Sequence, residues 1–244
     1  MTGPTPPGVV PAPRLPTVHR DAVVGAGLTA ATGGGGLVVG TDEGGVPVAV
    51  SLFRAEPTSA VCLGGLPLAQ RLVLRALGLG ARVVVETTRP TAWQSFAQLA
   101  AGPTGRVEVR PPHGGSTGPA PGEHPADELA GSPEAPRLLV VDSDAAAAGE
   151  PRRLGRWSAL LTCVDAVSEW SAAALAGADL IVSRPLNGGE TRLLSRTLNL
   201  DEDVLRVPAA PDVLLLAARA GARPVRHVPT AVEQWLTAAA APRG

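Results

Sequence analysis

The chain has no lysine and no tyrosine, and its 244 residues include two phenylalanines, two cysteines and one methionine. All 21 of its basic residues are therefore arginines. The absence of lysine excludes an orthodox Walker A motif, GxxxxGK[ST], in which a lysine bridges the outer phosphates of a nucleotide. Cys62 and Cys163 lie in apolar, strand-like runs without CxxC or metal-ligand spacing. This pattern favours buried thiols in a reducing compartment, with a nucleophilic Cys163 as the less favoured alternative.

Charge and hydropathy narrow the class of protein further. The formal net charge of −1 provides no basic stripe of the kind that nucleic acid requires, so we expect no nucleic-acid partner. No apolar run reaches the roughly 18 to 20 residues of a membrane span, and the N-terminus lacks the pattern of a signal peptide. The hydrophobic content of 45% suffices for a sizeable core. These features predict a soluble, cytoplasmic chain with no span of its own.

The distribution of proline and glycine predicts the domain organisation. Residues 1–20 are rich in proline and are predicted to form a disordered leader. Residues 21–240 are predicted to form a single α/β domain, interrupted by a flexible insertion at 111–136. Residues 36–53 predict an N-terminal β-hairpin around a polar, glycine-containing turn. Residues 212–228 fit either a helix or a C-terminal hairpin, and the hairpin is favoured by a glycine turn and a β-branched second arm.

The segment from Ser59 to Glu86 has the order of elements found in a phosphate-binding unit. An apolar strand ends at a Gly64-Gly65 turn, a helical run follows, and a second strand begins at Arg82. Gly64 and Gly65 are therefore candidate cofactor-binding residues, as a vestigial phosphate turn. Further apolar runs alternate with helical segments along the chain. This alternation predicts a doubly wound, mostly parallel α/β sheet of degenerate P-loop or Rossmann-like type.

Two carboxylates, Asp142 and Asp144, follow the continuous apolar run Arg137–Val141. A carboxylate at the end of such a strand orients a magnesium-bound water in P-loop ATPases, and a DxD pair holds Mn²⁺ against a nucleotide diphosphate in many glycosyltransferases. Asp-Ser-Asp is also ordinary turn and helix-cap chemistry, and this interpretation is favoured. No cofactor is expected unless the two aspartates bind a metal, with ATP and magnesium or a nucleotide sugar and manganese.

Several sequence pieces resemble known families. The hairpin GTDEGGVPVAV (Gly40–Val50), the turn segment VCLGGLPLAQ (Val61–Gln70) and the strand RLLVVDSD (Arg137–Asp144) together resemble the motor domains of the FtsK/SpoIIIE class. Shorter pieces resemble accessory proteins of actinobacterial type VII (ESX) secretion systems, including EccE-like chains. These pieces are LFRAEPT (52–58), GGLPLAQ (64–70), ALGLGARVVV (76–85), ADLIVSRPL (178–186) and PTAVE (229–233). The resemblance implies protein partners in the secretion machinery. EccE-like chains usually carry membrane spans, so this chain would be peripheral to the inner membrane through a partner.

Three functional hypotheses follow. The first is a non-catalytic cytoplasmic accessory or scaffold that docks through Arg184, the Trp157–Trp170 region and the hairpin at 36–53. The alternative is a metal-dependent nucleotidyl or glycosyl transferase that uses Asp142 and Asp144. A second alternative is a Rossmann-type nucleotide-binding protein, which is disfavoured because no GxGxxG follows a strand and opens a helix.

Overall fold

The computed structural model describes residues 36–112, 129–143, 153–169 and 171–240. The predicted leader, most of the predicted insertion, Asp144 and Trp170 lie outside these ranges. The strands of the described part are β1 (Leu37–Thr41), β2 (Pro47–Val50), β3 (Thr58–Leu63), β4 (Arg82–Thr87), β5 (Val107–Arg110), β6 (Arg137–Asp142), β7 (Ser158–Cys163), β8 (Leu180–Ser183), β9 (Val213–Ala218) and β10 (Gly221–Arg226). The helices are α1 (Gly65–Gly78), α2 (Pro90–Ala101), α3 (Ala172–Gly177), α4 (Gly188–Leu198), α5 (Glu202–Leu205) and α6 (Ala231–Ala240).

All of these strands form one sheet, in the order β2-β1-β10-β9-β8-β3-β7-β6-β4-β5. The strands from β8 to β5 are parallel. The remaining pairs are antiparallel and comprise the hairpins β1–β2 and β9–β10, the pair β8–β9 and the short contact β1–β10. Both predicted hairpins are therefore confirmed, and the ambiguous segment 212–228 is a hairpin. Strand β7 lies between β3 and β6, so a single strand separates the turn after β3 from the acidic end of β6.

Helices cover both faces of the sheet. Residues of α1, α2 and α6 pack on one face, and residues of α3, α4 and α5 pack on the other. The central strands consequently bury side chains in both directions, which is why their sequences are continuous apolar runs instead of alternating ones. This arrangement confirms the predicted doubly wound, mostly parallel sheet. Among the residues that the structure describes, every helix falls short of the length and apolar character that a bilayer span demands.

The last residues of the predicted insertion, 129–136, are packed against the sheet. Leu129 is 7% exposed and contacts Val84, Leu139 and Val141 of the parallel strands. The backbone N–H of Gly131 donates to the carbonyl of Arg156 at 2.8 Å. This segment covers a part of the sheet face on which no helix of the described chain lies, so it contributes to the core.

The guanidinium of Arg75 joins the N-terminal hairpin to the rest of the domain. Strands β1 and β10 share one paired position, Thr41 with Arg226, so their backbones do not form an extended ladder. Arg75 of α1 instead donates to the carbonyls of Val38 and Val39 at 2.8 and 2.9 Å. It also pairs with Glu233 of α6, with its Nε 2.5 Å and its Nη2 3.0 Å from the two carboxylate oxygens.

The same region contains His227, which is 3% exposed. Its Nδ1 lies 2.7 Å from the carbonyl of Val39, and its buried Nε2 has no partner among the described residues. Burial lowers the pKa of His227, and the nearby Arg75 and Arg71 lower it further, against the opposing effects of the Val39 carbonyl and Glu233. The folded protein therefore favours the neutral imidazole.

We expect the free energy of unfolding to fall as the pH drops below the ordinary histidine pKa of 6.5, because the unfolded chain then binds the proton that the folded chain resists. Urea titrations over a pH series would measure this slope. In the His227→Asn variant, whose amide can replace the Nδ1 donor, the slope should flatten. An unchanged slope in that variant would assign the pH dependence to another group.

Candidate functional site

The carboxyl ends of the parallel strands form the edge at which a doubly wound sheet places its ligands. The Gly64-Gly65 turn after β3, Asp142 at the end of β6 and Arg184 after β8 all lie on this edge. The structure thus brings these predicted residues to the same side of the sheet. Trp157 precedes β7 and lies at the opposite, amino-terminal edge.

The turn after β3 is too short to cradle a phosphate in the manner of a P-loop. Strand β3 ends at Leu63 and α1 begins at Gly65, so one residue separates the two elements. In the part of the chain that the structure describes, no side chain forms a capping hydrogen bond with α1. Pro67 in its first turn has no N–H to offer an anion. The connection therefore lacks the run of loop N–H groups that surrounds phosphates in such sites.

Packing and backbone conformation account for both glycines of this turn. Gly65 has φ +70°, a left-handed conformation that side chains disfavour. A Cβ on Gly64 would lie 2.3 Å from Cδ2 of Leu68, which is buried in the core. Both glycines are thus required for the tight passage from strand to helix, whether or not any ligand binds there.

Alanine substitutions would separate these structural roles from phosphate binding. Gly65→Ala should destabilise the fold by roughly 1–2 kcal/mol through left-handed strain, and Gly64→Ala by roughly 1–3 kcal/mol through overpacking. Gly78→Ala is the matched control, because its Cβ meets nothing within 4 Å, and it should be neutral or slightly stabilising. Urea unfolding would measure all three. Full stability in Gly64→Ala and Gly65→Ala would contradict the packing explanation.

Asp142 is buried, with its side chain 3% exposed, and four donors surround its carboxylate. Thr87 Oγ1 donates at 3.1 Å and Trp93 Nε1 at 2.6 Å. Arg89 donates through both Nε, at 3.2 Å, and Nη2. The bond to Asp142, reinforced by the attraction of the charges, raises the pKa of Arg89 despite the opposing effect of its burial. The carboxylate that would bind a metal under the transferase alternative is therefore paired with an arginine of the same chain.

The donor set does not resemble a metal centre. Within the residues described, no group of three or more His, Cys, Asp or Glu side chains converges on a point that could hold an ion. Asp144, the second carboxylate of the predicted pair, lies outside the described residues. A metal ion bound to Asp142 would have to compete with the guanidinium of Arg89 for both carboxylate oxygens.

Arg184 also forms an ion pair with a residue of its own chain. Its Nη1 and Nη2 each lie 2.8 Å from an oxygen of Glu190, which is the third residue of α4. Glu190 closes a capping box with Asn187 and also accepts from the backbone N–H of Val167 at 3.3 Å. The bond from Arg184, with those from Asn187 and Val167, lowers the pKa of Glu190 against the effect of burial. The side chain predicted to meet a partner thus fixes the start of α4, although 40% of it stays exposed.

Two of the other predicted docking elements, Trp157 and the N-terminal hairpin, lie away from this edge. Trp157 is half-buried and has φ 54°, and its backbone N–H donates to the carbonyl of Arg54 at 3.0 Å. The hairpin at 36–53 occupies the far, antiparallel end of the sheet, beyond β10. Trp157 and the hairpin therefore lie apart from Arg184, whereas residues 164–169 of the same predicted region follow β7 at the carboxyl edge, where the backbone N–H of Val167 donates to Glu190.

The two cysteines face each other in register across β3 and β7, and both are buried. Burial, with a smaller effect of Asp142, raises the pKa of the Cys62 thiol to about 12. Burial also raises the pKa of Cys163 well above its ordinary value, with the neighbouring Cys62 adding to the effect. A thiol that stays protonated at neutral pH is a poor nucleophile.

We therefore expect both thiols to resist a disulfide reagent such as Ellman's in the native protein at about pH 8, where a free thiol with a pKa of about 8.5 reacts. Both should react once the chain is unfolded in guanidinium chloride, which is the control for reagent and thiol state. Rapid reaction of either thiol in the folded protein would contradict this and would revive the nucleophile alternative for Cys163.

The sequence did not identify Arg89 and Trp93 as the partners of the Asp142 carboxylate. Arg89 and Trp93 belong to the connection after β4 and to α2, and no motif links them to Asp142. The sequence does show that Thr87 ends a strand, and the pairing of β4 with β6 places Thr87 beside Asp142. Knowledge of the strand order would have been needed to use it.

No family model matches the chain, and no curated protein matches it. Among solved structures it is similar to VirB4 of Thermoanaerobacter pseudethanolicus, with a TM-score of 0.52 and 10% identity, over 84% of this chain and all of that one. It is also similar to the cytoplasmic domain of EssC, with a TM-score of 0.48 and 12% identity, over 88% of this chain and 47% of that one. The cytoplasmic domain of the type VII secretion ATPase EccC from Thermomonospora curvata gives 0.45 and 13%, over 85% of this chain and 31% of that one.

The likeness to VirB4 concerns the fold, because 10% identity carries no information on function. Together with the strand order, it confirms the predicted class, a P-loop-like α/β fold with hairpins toward both ends of the domain. TM-scores below 0.5 do not establish a common fold for the other two domains.

Proposed function

We propose that this chain is a catalytically silent, P-loop-like α/β domain that acts through protein docking as a cytoplasmic accessory of a type VII (ESX-like) secretion system. The proposed lack of catalysis rests on the carboxyl edge of the sheet, where the candidate site residues are engaged within the chain. Arg89 neutralises Asp142, Arg184 neutralises Glu190, and the Gly64-Gly65 turn leaves no room for a phosphate loop. Without an available lysine, nothing in the described site replaces the cations that stabilise a transferred phosphoryl group.

The assignment to secretion is supported by the sequence pieces that resemble ESX accessory proteins, EccE-like chains among them. Two of these pieces correspond to structural elements at the carboxyl edge. GGLPLAQ contains the turn and the first residues of α1, and ADLIVSRPL contains β8 and Arg184. Attachment to the inner membrane would then depend on a partner.

Calorimetric titration with ATP plus Mg²⁺ and with UDP plus Mn²⁺ tests whether the domain lacks nucleotide binding and catalysis. We expect no saturable heat from either ligand and no ATP hydrolysis. Binding of UDP with Mn²⁺ that is lost in Asp142→Asn would instead favour the transferase alternative. Binding that survives this substitution but is lost in Gly64→Ala would indicate that the turn retains a phosphate site.

The docking part is tested in the host cell. Affinity-tagged chain should co-purify with components of the ESX apparatus, and deletion of its gene should reduce export of ESX substrates. Complementation with Asp142→Asn should restore export, because the proposal assigns no catalysis to that carboxylate. Normal export in the deletion strain would overturn the proposal.

A further inference from the structure

A cleft of about 460 Å³ opens at the amino ends of β3 and β8, at the edge opposite the Gly64-Gly65 turn. Its walls come from β2, from the connection between α3 and β8, and from the turn of the β9–β10 hairpin. Its charged lining consists of Arg54, Arg219, Arg223 and Asp179. Three arginines and one aspartate give this lining an excess of two positive charges, in a chain whose formal net charge is −1.

The single carboxylate of the cleft is already engaged. Asp179 accepts from the backbone N–H of Ser59 at 2.8 Å and lies 3.5 Å from Nη2 of Arg54. Arg54 also donates through Nε to Oγ1 of Thr58 at 2.9 Å. The side chains of Arg54 and Asp179 are about half exposed, so solvent screens their attraction. Asp179 therefore neutralises one arginine in part, and no other described residue of the cleft lining supplies a counter-charge to the remaining two.

On the opposite wall, the guanidinium groups of Arg219 and Arg223 have N–H donors that form no hydrogen bond with described residues. Arg219 is exposed and uses Nη2 to reach the carbonyl of Ala176. Nε of Arg223 is buried and has no hydrogen-bond partner among the described residues. A guanidinium that makes few hydrogen bonds gains new bonds as well as charge attraction when a carboxylate enters the cleft.

We propose that this cleft binds an acidic segment of a protein partner, with a glutamate or aspartate carboxylate held between Arg219 and Arg223. The planar fork of a guanidinium matches the two oxygens of a carboxylate. Ala178, Leu180 and Ala218 in the walls suit the methylene groups of a glutamate side chain. This inference deepens the docking function proposed above and rests on it, because it names the chemistry of a partner surface.

Other anionic ligands fit the cleft less well. The described residues that line it include no aromatic side chain, so they offer a nucleotide base no ring on which to stack. The helix end that borders it is the carboxyl end of α3 at Gly177, whose carbonyls disfavour a phosphate. The formal net charge of −1 is also unfavourable for nucleic acid, which requires an extended basic surface.

Fluorescence anisotropy with a fluorescein-labelled hexaglutamate peptide, at low ionic strength, tests the proposal, and labelled hexaglutamine is the uncharged control. We expect hexaglutamate to bind at least about tenfold more tightly than hexaglutamine. Arg223→Ala should weaken binding by about tenfold, and the exposed Arg219→Ala by about two- to fivefold. Arg192→Ala, which removes an exposed arginine of α4 outside the cleft, should change affinity by less than about twofold.

Arg223→Lys keeps the charge without the fork and should lie between wild type and Arg223→Ala. If Arg223→Ala unfolds, this variant and Arg219→Ala still report on the cleft. Equal binding of the two peptides, or equal losses in Arg192→Ala and Arg219→Ala, would overturn the proposal. Pyrophosphate binding that the same cleft variants abolish would assign the cleft to phosphate instead. Each of these failures leaves the ATP and export tests untouched, so it is distinguishable from failure of the proposed function.

Discussion

Arg75→Ala is expected to lower the free energy of unfolding by about 3–5 kcal/mol, the range measured when one partner of a buried ion pair is removed. The side chain of Glu233, only 4% exposed, would be left without its guanidinium. Burial by itself would raise the pKa of Glu233, but the bonds from Arg75 and Thr230 outweigh burial and hold that pKa below its usual value. The carbonyls of Val38 and Val39 would also lose their donor, and the N-terminal hairpin would lose its link to α1.

Urea denaturation would measure the loss, with Arg192→Ala as the control for removing an exposed arginine. Glu233→Gln in the Arg75→Ala background should recover part of the stability, because it removes the unpaired charge and keeps the side-chain volume. Hydrogen exchange should become faster in β1 and β2 than in the parallel strands, because Arg75 joins that hairpin to the core. A loss below about 1 kcal/mol, the level of a surface pair, would contradict this role.

Arg89→Ala is expected to cost about 2–3 kcal/mol, because it leaves the buried carboxylate of Asp142 without its cation. The expected cost is smaller than for Arg75 for two reasons. The Arg89 side chain is 43% exposed, so solvent already screens part of its attraction. Thr87 and Trp93 also continue to donate to the carboxylate after the substitution.

The double variant Arg89→Ala/Asp142→Asn separates the charge from the packing. We expect it to be more stable than Arg89→Ala alone, because a neutral amide needs no counter-ion. Urea unfolding of wild type, both single variants and the double variant forms a complete cycle. A coupling energy near zero would show that Arg89 and Asp142 do not stabilise one another. Binding of Mg²⁺ by Arg89→Ala, absent in wild type, would identify the guanidinium as the group that blocks a latent metal site.

Local sequence patterns predict most of the helices and strands of the domain. Helix α4 has a local sequence signature, because Asn187 caps its start and Leu194 and Leu198 recur on its buried face. The central parallel strands are recognisable as mostly apolar runs, whereas the edge strand β5 (VEVR) alternates. An uninterrupted apolar run also makes the secondary structure of 212–228 ambiguous from sequence. A strand buried on both faces has no period that distinguishes it from a buried helix. Helix α5 was missed because its four residues are too few to show a period.

The strand-end positions of Gly64, Gly65, Asp142 and Arg184 were determined by the sequence, because each follows a recognisable strand and parallel strands end at a common edge. What those residues do there was decided by the tertiary structure. Asp142 becomes the partner of Arg89 only because β4 pairs with β6, and the arginine cleft exists only because β2, β8 and the β9–β10 turn meet. Hydrophobic periodicity records which side chains are buried, whereas a charge finds its partner through strand order, which no local pattern encodes.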